Sequence, residues 1–306
     1  MSTLNRRTLL QSGSLAAAGL LPAALQGQAR PSLSIARYKS SPTEAAAIAE
    51  EARRLTRQAI DGLGGMKRFV SKGHVVWVKP NIGWDRRPEQ AANTNPDVVA
   101  TLVQMCLEAG ARRVVVSDHT CNAAQRTFPR SGIQQAAEKA GAQVFFLDER
   151  KFRRMPIKGV ALKEWEVYTD AVEADRLINV AIVKHHGLSK ATLGMKNLMG
   201  IVGGARNRMH QNIDDSIVDL AAFFKPQLVV LDAIRVLMAN GPVGGNLADV
   251  ARKDTVLAGT DQVAVDAFGA TLLGRKPEEI THIVQAAKRG LGTINYQSLA
   301  PRMFEL

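Results

Sequence analysis

Residues 184–212, KHHGLSKATLGMKNLMGIVGGARNRMHQN, hold three of the chain's six histidines among lysines, glycines and methionines. Imidazoles act as general acids and bases near neutral pH or as metal ligands. Lysines beside glycines hold phosphate or carboxylate, or tether a group covalently. His185 and His186 follow an apolar run, His210 precedes a helical pattern, and the stretch between reads as a long Gly-bearing loop carrying Lys190 and Lys196. His186, Lys196 and His210 are therefore site candidates, whereas Met195, Leu198, Met199 and Ile201 read as core.

These groups need elements to position them. Apolar runs at 33–38, 75–78, 114–117, 144–147, 176–183, 228–231 and 256–258 predict strands. Helical patterns cover 43–63 with Thr43 as N-cap, 95–108 opened by Asn95-Pro96 and stopped at Gly110, 132–140, 213–224, 261–273 and 277–289. Residues 151–172 read as short irregular segments. Alternation of strand and helix predicts an α/β fold with mostly parallel sheets covered by helices, either as one elaborated domain or, as the favoured arrangement, as two lobes, 30–150 and 151–306, with the site between them. Ligands in such folds lie beyond the carboxyl ends of the strands. The polar residues predicted there are Lys79-Pro80-Asn81, Asp118-His119, Asp148, Lys184-His185-His186 and Asp232.

Composition sets limits. Hydrophobic residues make up 46 % of the chain and charged residues 22 %, an ordinary globular balance. The formal charge is +12, but Arg86-Arg87, Arg112-Arg113 and Arg153-Arg154 are scattered and no basic stripe is interleaved with aromatics, so nucleic acid is not an expected partner. The excess reads as solvated surface that also attracts small anions. Asn5-Arg6-Arg7-Thr8-Leu9-Leu10, a mildly apolar segment to Leu25 and a small-residue cleavage pattern at Gly27-Gln28-Ala29 predict a twin-arginine export signal over 1–29. The twin-arginine machinery and a periplasmic location follow as expectations, with no stable membrane span after cleavage. Cys106 and Cys121 alone cannot build a four-cysteine iron–sulfur or zinc site within one chain, so no intrinsic iron–sulfur cluster is expected.

Further along, the turn 241–245, including Gly244 and Gly245 and flanked by Asn240 and Asn246, can bring backbone N–H groups close to an anion. Asp261 reads as a helix N-cap. Asp266, in an otherwise apolar turn, is expected either to pair with a buried cation or to face the site. Arg206 and Arg208, beside Gly203-Gly204, are candidates for holding a carboxylate.

Lys79-Pro80-Asn81, Asn93-Thr94-Asn95-Pro96, Lys184-His185-His186-Gly187-Leu188, Gly194-Met195-Lys196-Asn197-Leu198-Met199-Gly200, His210, the turn 241–245 and Asp261-Gln262-Val263-Ala264-Val265-Asp266 together resemble the family known as domain of unknown function 362. Many members carry a ferredoxin-like module, whose cysteines this chain lacks. The order of His, glycine-rich loop, Lys and later His is also similar to the nickel-pincer lactate racemase family. That resemblance implies His186 as proton-transfer base, Lys196 as the covalent tether of a pincer cofactor, His210 as a nickel ligand beside His186, and His119 as second base. Lys79, Asn81, Lys184, Lys196, Asn197, Gly244 and Gly245 are the corresponding candidates for cofactor binding. Leu193-Gly194-Met195 stands where that family has Gly-Gly-Arg.

Two classes of function are expected from this. The first is a metal- or cofactor-dependent enzyme acting on a small anionic molecule by hydroxy-acid isomerisation or redox chemistry. The second is a non-catalytic anion- or metal-binding protein, or an accessory of a redox system.

Overall fold

The computed structural model describes residues 31–39 and 42–306. The export signal expected over 1–29 lies outside these residues. Eleven strands and nine α-helices alternate along the described residues, and no helix among them is long and apolar enough to cross a membrane. In chain order they are β1 (Leu33–Arg37), α1 (Ala45–Gly62), β2 (Val75–Lys79), α2 (Pro96–Glu108), β3 (Arg113–Val116), α3 (Ala124–Arg130), α4 (Ile133–Lys139), β4 (Gln143–Val144), β5 (Phe152–Pro156) and β6 (Glu164–Tyr168). The second half continues with α5 (Thr169–Glu173), β7 (Arg176–His186), β8 (Lys190–Thr192), α6 (Gly194–Asn197), α7 (Ile213–Phe224), β9 (Leu228–Leu237), β10 (Val250–Gly259), α8 (Gln262–Leu272), α9 (Thr281–Lys288) and β11 (Arg302–Glu305).

Nine of the strands form one mixed sheet in the order β11-β1-β10-β9-β7-β2-β3-β4, with β8 folded back on β7. The run β9-β7-β2-β3-β4 is parallel, and β10 lies antiparallel to both β9 and β1. Strands from both sides of residue 150 share this sheet, in place of the two lobes expected at 30–150 and 151–306. The halves of the chain differ instead in the face they cover. Alternate side chains of a strand point to opposite faces, so Val76 and Val78 of β2 pack with Leu55, Val99, Leu102 and Phe128 of α1, α2 and α3. Trp77, between them, packs on the other face with residues of α7, α8 and the β5–β6 hairpin. Central parallel strands are buried on both faces, which is why they read as unbroken apolar runs.

Several local expectations change. Thr43 does not cap α1: Glu44 holds the cap position without a side-chain bond. Residues 151–172 form the β5–β6 hairpin and α5 rather than irregular segments. The stretch 184–212 is not an open loop. It continues β7 to His186, turns back as β8, and winds through α6 and two 3-10 segments, Leu198–Ile201 and Arg206–Asn212. Conversely, Asn95 caps α2 by accepting from Asp97 N–H at 2.8 Å, and Asp261 caps α8 by accepting from Val263 and Ala264.

Candidate active site

The carboxyl ends of β3, β2, β7 and β9 lie side by side and open onto a cavity of about 530 Å³. Its floor is a hydrogen-bonded network. Lys79, the last residue of β2, is buried and donates from Nζ to the Pro80 carbonyl and to Asn197 Oδ1, both at 2.9 Å. It also pairs with Asp118 Oδ1 at 2.8 Å. Asn81 Nδ2 donates to the same Asn197 oxygen, while Asn197 Nδ2 donates to Asn179 Oδ1. Lys184 Nζ donates to Asn81 Oδ1 at 3.0 Å and to the Ala92 carbonyl at 2.5 Å. Gly200 is required here by space, because a Cβ would collide with the Asp118 carboxylate and the Lys79 amine.

Lys79, Asn81, Lys184 and Asn197 thus reach the cavity as expected, but their polar atoms are bonded to one another rather than free for a cofactor. The loops around them are held in the same way. Asn93 Oδ1 accepts from Gly83 and Trp84 N–H, Thr94 Oγ1 donates to the Val180 carbonyl, and Asn95 N–H donates to Asp232 Oδ2.

Lys196 is different. It sits half-buried on the cavity wall, and its amine has one weak contact, Met199 Sδ at 3.8 Å. Burial, with the charges of Lys79 and Arg206 adding to it and Cys121 opposing it, brings its pKa down to about 8, whereas Asp118 offsets part of the same effect for Lys79 and Lys184. Lys184 is pushed down to about 7, again chiefly by burial. Lys196 is positioned by Asp266, whose carboxylate accepts from Gly194 N–H at 2.7 Å and Met195 N–H at 2.9 Å at the start of α6. Asp266 therefore neither pairs with a cation nor faces the site, and burial raises its pKa to about 7.

Two of the three histidines that line the cavity, His119 and His186, stand in opposite hydrogen-bonded states. His119 Nδ1 lies 2.8 Å from the Val202 carbonyl, which can only accept, so the proton is on Nδ1; Nε2 keeps its lone pair and lies 3.8 Å from the Glu149 carboxylate. Burial and the charge of Arg206 lower its pKa and keep it neutral. His186 Nδ1 instead accepts from Leu188 and Ser189 N–H, both at 3.2 Å, so its proton resides on Nε2. Burial, followed by the charges of Lys196 and Lys184, lowers its pKa to about 3. Of the two expected bases, His119 thus offers a lone pair and His186 an N–H.

Arg206 lines the cavity with its guanidinium anchored to the His119 and Thr120 carbonyls at 2.9 and 2.8 Å. His210 lines it from the exposed turn 206–212. Among the lining residues four cations, Lys79, Lys184, Lys196 and Arg206, face a single carboxylate, Asp118. Such a field favours an anion. It does not favour a divalent metal held by the protein. Among the described residues no three His, Cys, Asp or Glu side chains converge as a ligand set. His186 would need the opposite tautomer to ligate through Nε2, against two backbone donors. That leaves the exposed His210 as a lone donor, so the expected His186–His210 metal pair does not fit. The free amine of Lys196 does fit covalent attachment.

Other candidates lie elsewhere. Gly244 and Gly245 do not line the cavity; their carbonyls accept from Arg86 and Gln90, and the turn presents Pro242 and Val243 instead. His185 Nδ1 accepts from Gly241 N–H and fixes that turn. Lys190 donates to the Glu279 carbonyl at 2.6 Å. Asp148 caps an exposed turn and pairs with Arg150, and Asp232 serves Asn95 and Ile234 N–H. Arg208 is exposed outside the cavity. Sequence reasoning missed Trp84, Cys121, Thr192 and Asn207 in the wall. Cys121 had a signal, since it shares the strand-end loop with Asp118 and His119, and Thr192 follows from its register opposite Lys184 on β8.

The chain is similar to the thylakoid-associated protein sll1697 of Synechocystis sp., with 27 % identity over 243 residues that cover 77 % of this chain and 74 % of the relative. In its fold it is similar to the lactate racemase apoprotein of Thermoanaerobacterium thermosaccharolyticum, at 12 % identity and a TM-score of 0.45. That match covers 78 % of this chain and 56 % of the other, so the chain spans little more than half the length of that protein. The family model described as domain of unknown function (DUF362) matches residues 76–271, which include β2 from its second residue, β3, β7, β9 and all the residues of the cavity, and the chain belongs to this family.

Proposed function

We propose that the chain is an enzyme that moves protons on a small carboxylate-bearing substrate, of the hydroxy- or oxo-acid class, rather than a passive anion binder. One observation carries this reading: a cation-rich cavity presents an imidazole lone pair at His119 Nε2 and an imidazole N–H at His186 Nε2. Binding an anion needs donors and positive charge, and an acceptor nitrogen adds nothing to it. Proton transfer needs both.

In this reading His119 takes a proton from the substrate. The neutral His186 donates a hydrogen bond to the oxygen on which charge develops, a role for which its low pKa is suited. Arg206, with N–H groups left over from its two carbonyl anchors, and the lysine field hold the carboxylate. Of the three lysines that line the cavity, Lys196 is the one whose amine has no oxygen partner and is open to carrying a covalent group. We further propose that the protein works outside the cytoplasmic membrane, on the strength of Arg6-Arg7 and the segment that follows them.

The test is proton exchange. The full chain, purified from its native host, is incubated with 2-hydroxy and 2-oxo carboxylates in heavy water and followed by proton NMR. Deuterium should enter at C2 of the 2-hydroxy acids, the carbon that bears the hydroxyl, and at C3 of the 2-oxo acids, next to the carbonyl, and His119→Gln should abolish exchange while leaving affinity within about threefold. Tight binding across the panel with no exchange and no turnover would establish the passive binder instead.

A further inference from the structure

Three lysines share the cavity, and their surroundings separate them. Lys79 has three oxygen partners and Lys184 has two, so the nitrogen of each is tied to the floor. Lys196 has no oxygen partner: its nearest polar contact is a thioether sulfur, and α6, which carries it, is clamped by Asp266. A half-buried amine without a carboxylate, surrounded by other cations, is kept partly in its neutral form, and the neutral form is the nucleophile. An amine needed only to neutralise a bound anion gains nothing from losing its charge.

We propose that Lys196 forms an imine with the carbonyl carbon of a 2-oxo carboxylate. This rests on the reading of the cavity as an anion-binding catalytic site and names its covalent step. The neutral Lys196 Nζ attacks the carbonyl carbon, and the carbon–oxygen π pair moves to oxygen, which the His186 N–H holds by a hydrogen bond. His119 Nε2 takes the proton released by nitrogen and returns it to that oxygen, giving the carbinolamine. The nitrogen lone pair then expels the hydroxyl group, which leaves as water with one proton from solvent, and a protonated imine remains. No oxidant or reductant takes part. Arg206 is placed to hold the carboxylate, which explains why a cavity so rich in cations leaves one amine unpaired. The protonated imine draws electrons from the neighbouring carbon, so a proton there becomes acidic enough for an imidazole base.

Borohydride trapping tests this. The full chain is mixed with pyruvate or 2-oxoglutarate at neutral to mildly alkaline pH, reduced, and measured by intact mass and peptide mapping. The expected result is one adduct per chain, equal to the 2-oxo acid less one oxygen atom, located on Lys196. K196R, which keeps the charge, should lose the adduct and still bind the acid, read by the thermal shift that the acid induces. Binding of 2-oxo acids with no adduct, or an adduct on Lys79 or Lys184, overturns the imine and leaves the anion site standing. Absence of both binding and adduct overturns the reading beneath it as well.

Discussion

The floor and the wall of the cavity are built from the same residue types and behave differently. On the floor, Lys79, Lys184, Asn81, Asn197 and Asp118 satisfy one another. On the wall, Lys196, His119 Nε2 and His186 Nε2 have no such closed set of partners. The difference teaches that burial and residue type do not assign function here; partner count does. A buried group with all its bonds made is a fastener. A neighbouring group of the same type without them is available to a substrate.

Breaking the floor should have the largest effect. Asp118→Ala removes the partner of a fully buried ammonium, and loss of one member of a buried pair costs about 3–5 kcal/mol. Urea unfolding should show this loss. Replacing both partners, with Lys79→Met and Asp118→Leu, should recover most of it. If Asp118→Ala unfolds at the wild-type midpoint, the floor is not a fastener.

Substitution on the wall should act on rate instead. His119→Gln keeps a donor toward Val202 but replaces the basic nitrogen with a non-basic amide oxygen, and removal of a general base lowers turnover by about a hundredfold or more. Its unfolding midpoint should stay close to wild type. His119→Gln with full turnover would return the base to another residue.

Lys196→Met sharpens the same contrast through pH. The pKa of Lys196 is lowered from 10.5 to about 8 by folding, so between these values the unfolded chain binds the extra proton. Wild-type stability arising from this group therefore rises with pH across that window. Below about pH 8 the variant should be the more stable of the two, by an amount that shrinks as pH rises toward 10.5. Paired unfolding curves measure the difference directly; a constant gap would show that Lys196 has an ordinary pKa.

The smallest effect concerns the cysteines. Cys121 is exposed and lines the cavity, whereas Cys106 is buried within α2 and its thiol is pushed up to about 12 by burial. Iodoacetamide should label Cys121 alone in the native chain, and a bound 2-oxo acid should slow that labelling. Labelling of Cys106 at a comparable rate would mean that α2 opens readily.

Where patterns were local, the sequence was legible. The apolar runs of β2, β7 and β9, the Asn95-Pro96 start of α2 and the Asp261 cap of α8 each follow from a few adjacent residues. The region 151–172 was not, because the β5–β6 hairpin is rich in charge and buries only parts of one face. The stretch 184–212 misled for another reason. Its glycines mark close approach, as at Gly200 against Asp118 and Lys79, rather than an open loop.

By itself the sequence determined that strands and helices alternate and that polar residues stand at the strand ends; the family resemblance grouped His119, His186, Lys196 and His210, which line one cavity. Periodicity and strand-end placement are properties of a few neighbouring residues, so the chain displays them without its fold. The tertiary structure alone decided which histidine carries its proton on which nitrogen, and which lysine has partners. Those outcomes depend on the Val202 carbonyl, the Leu188 and Ser189 amides and the amide of Asn197, groups whose position against the site is set only when four parallel strands lie side by side.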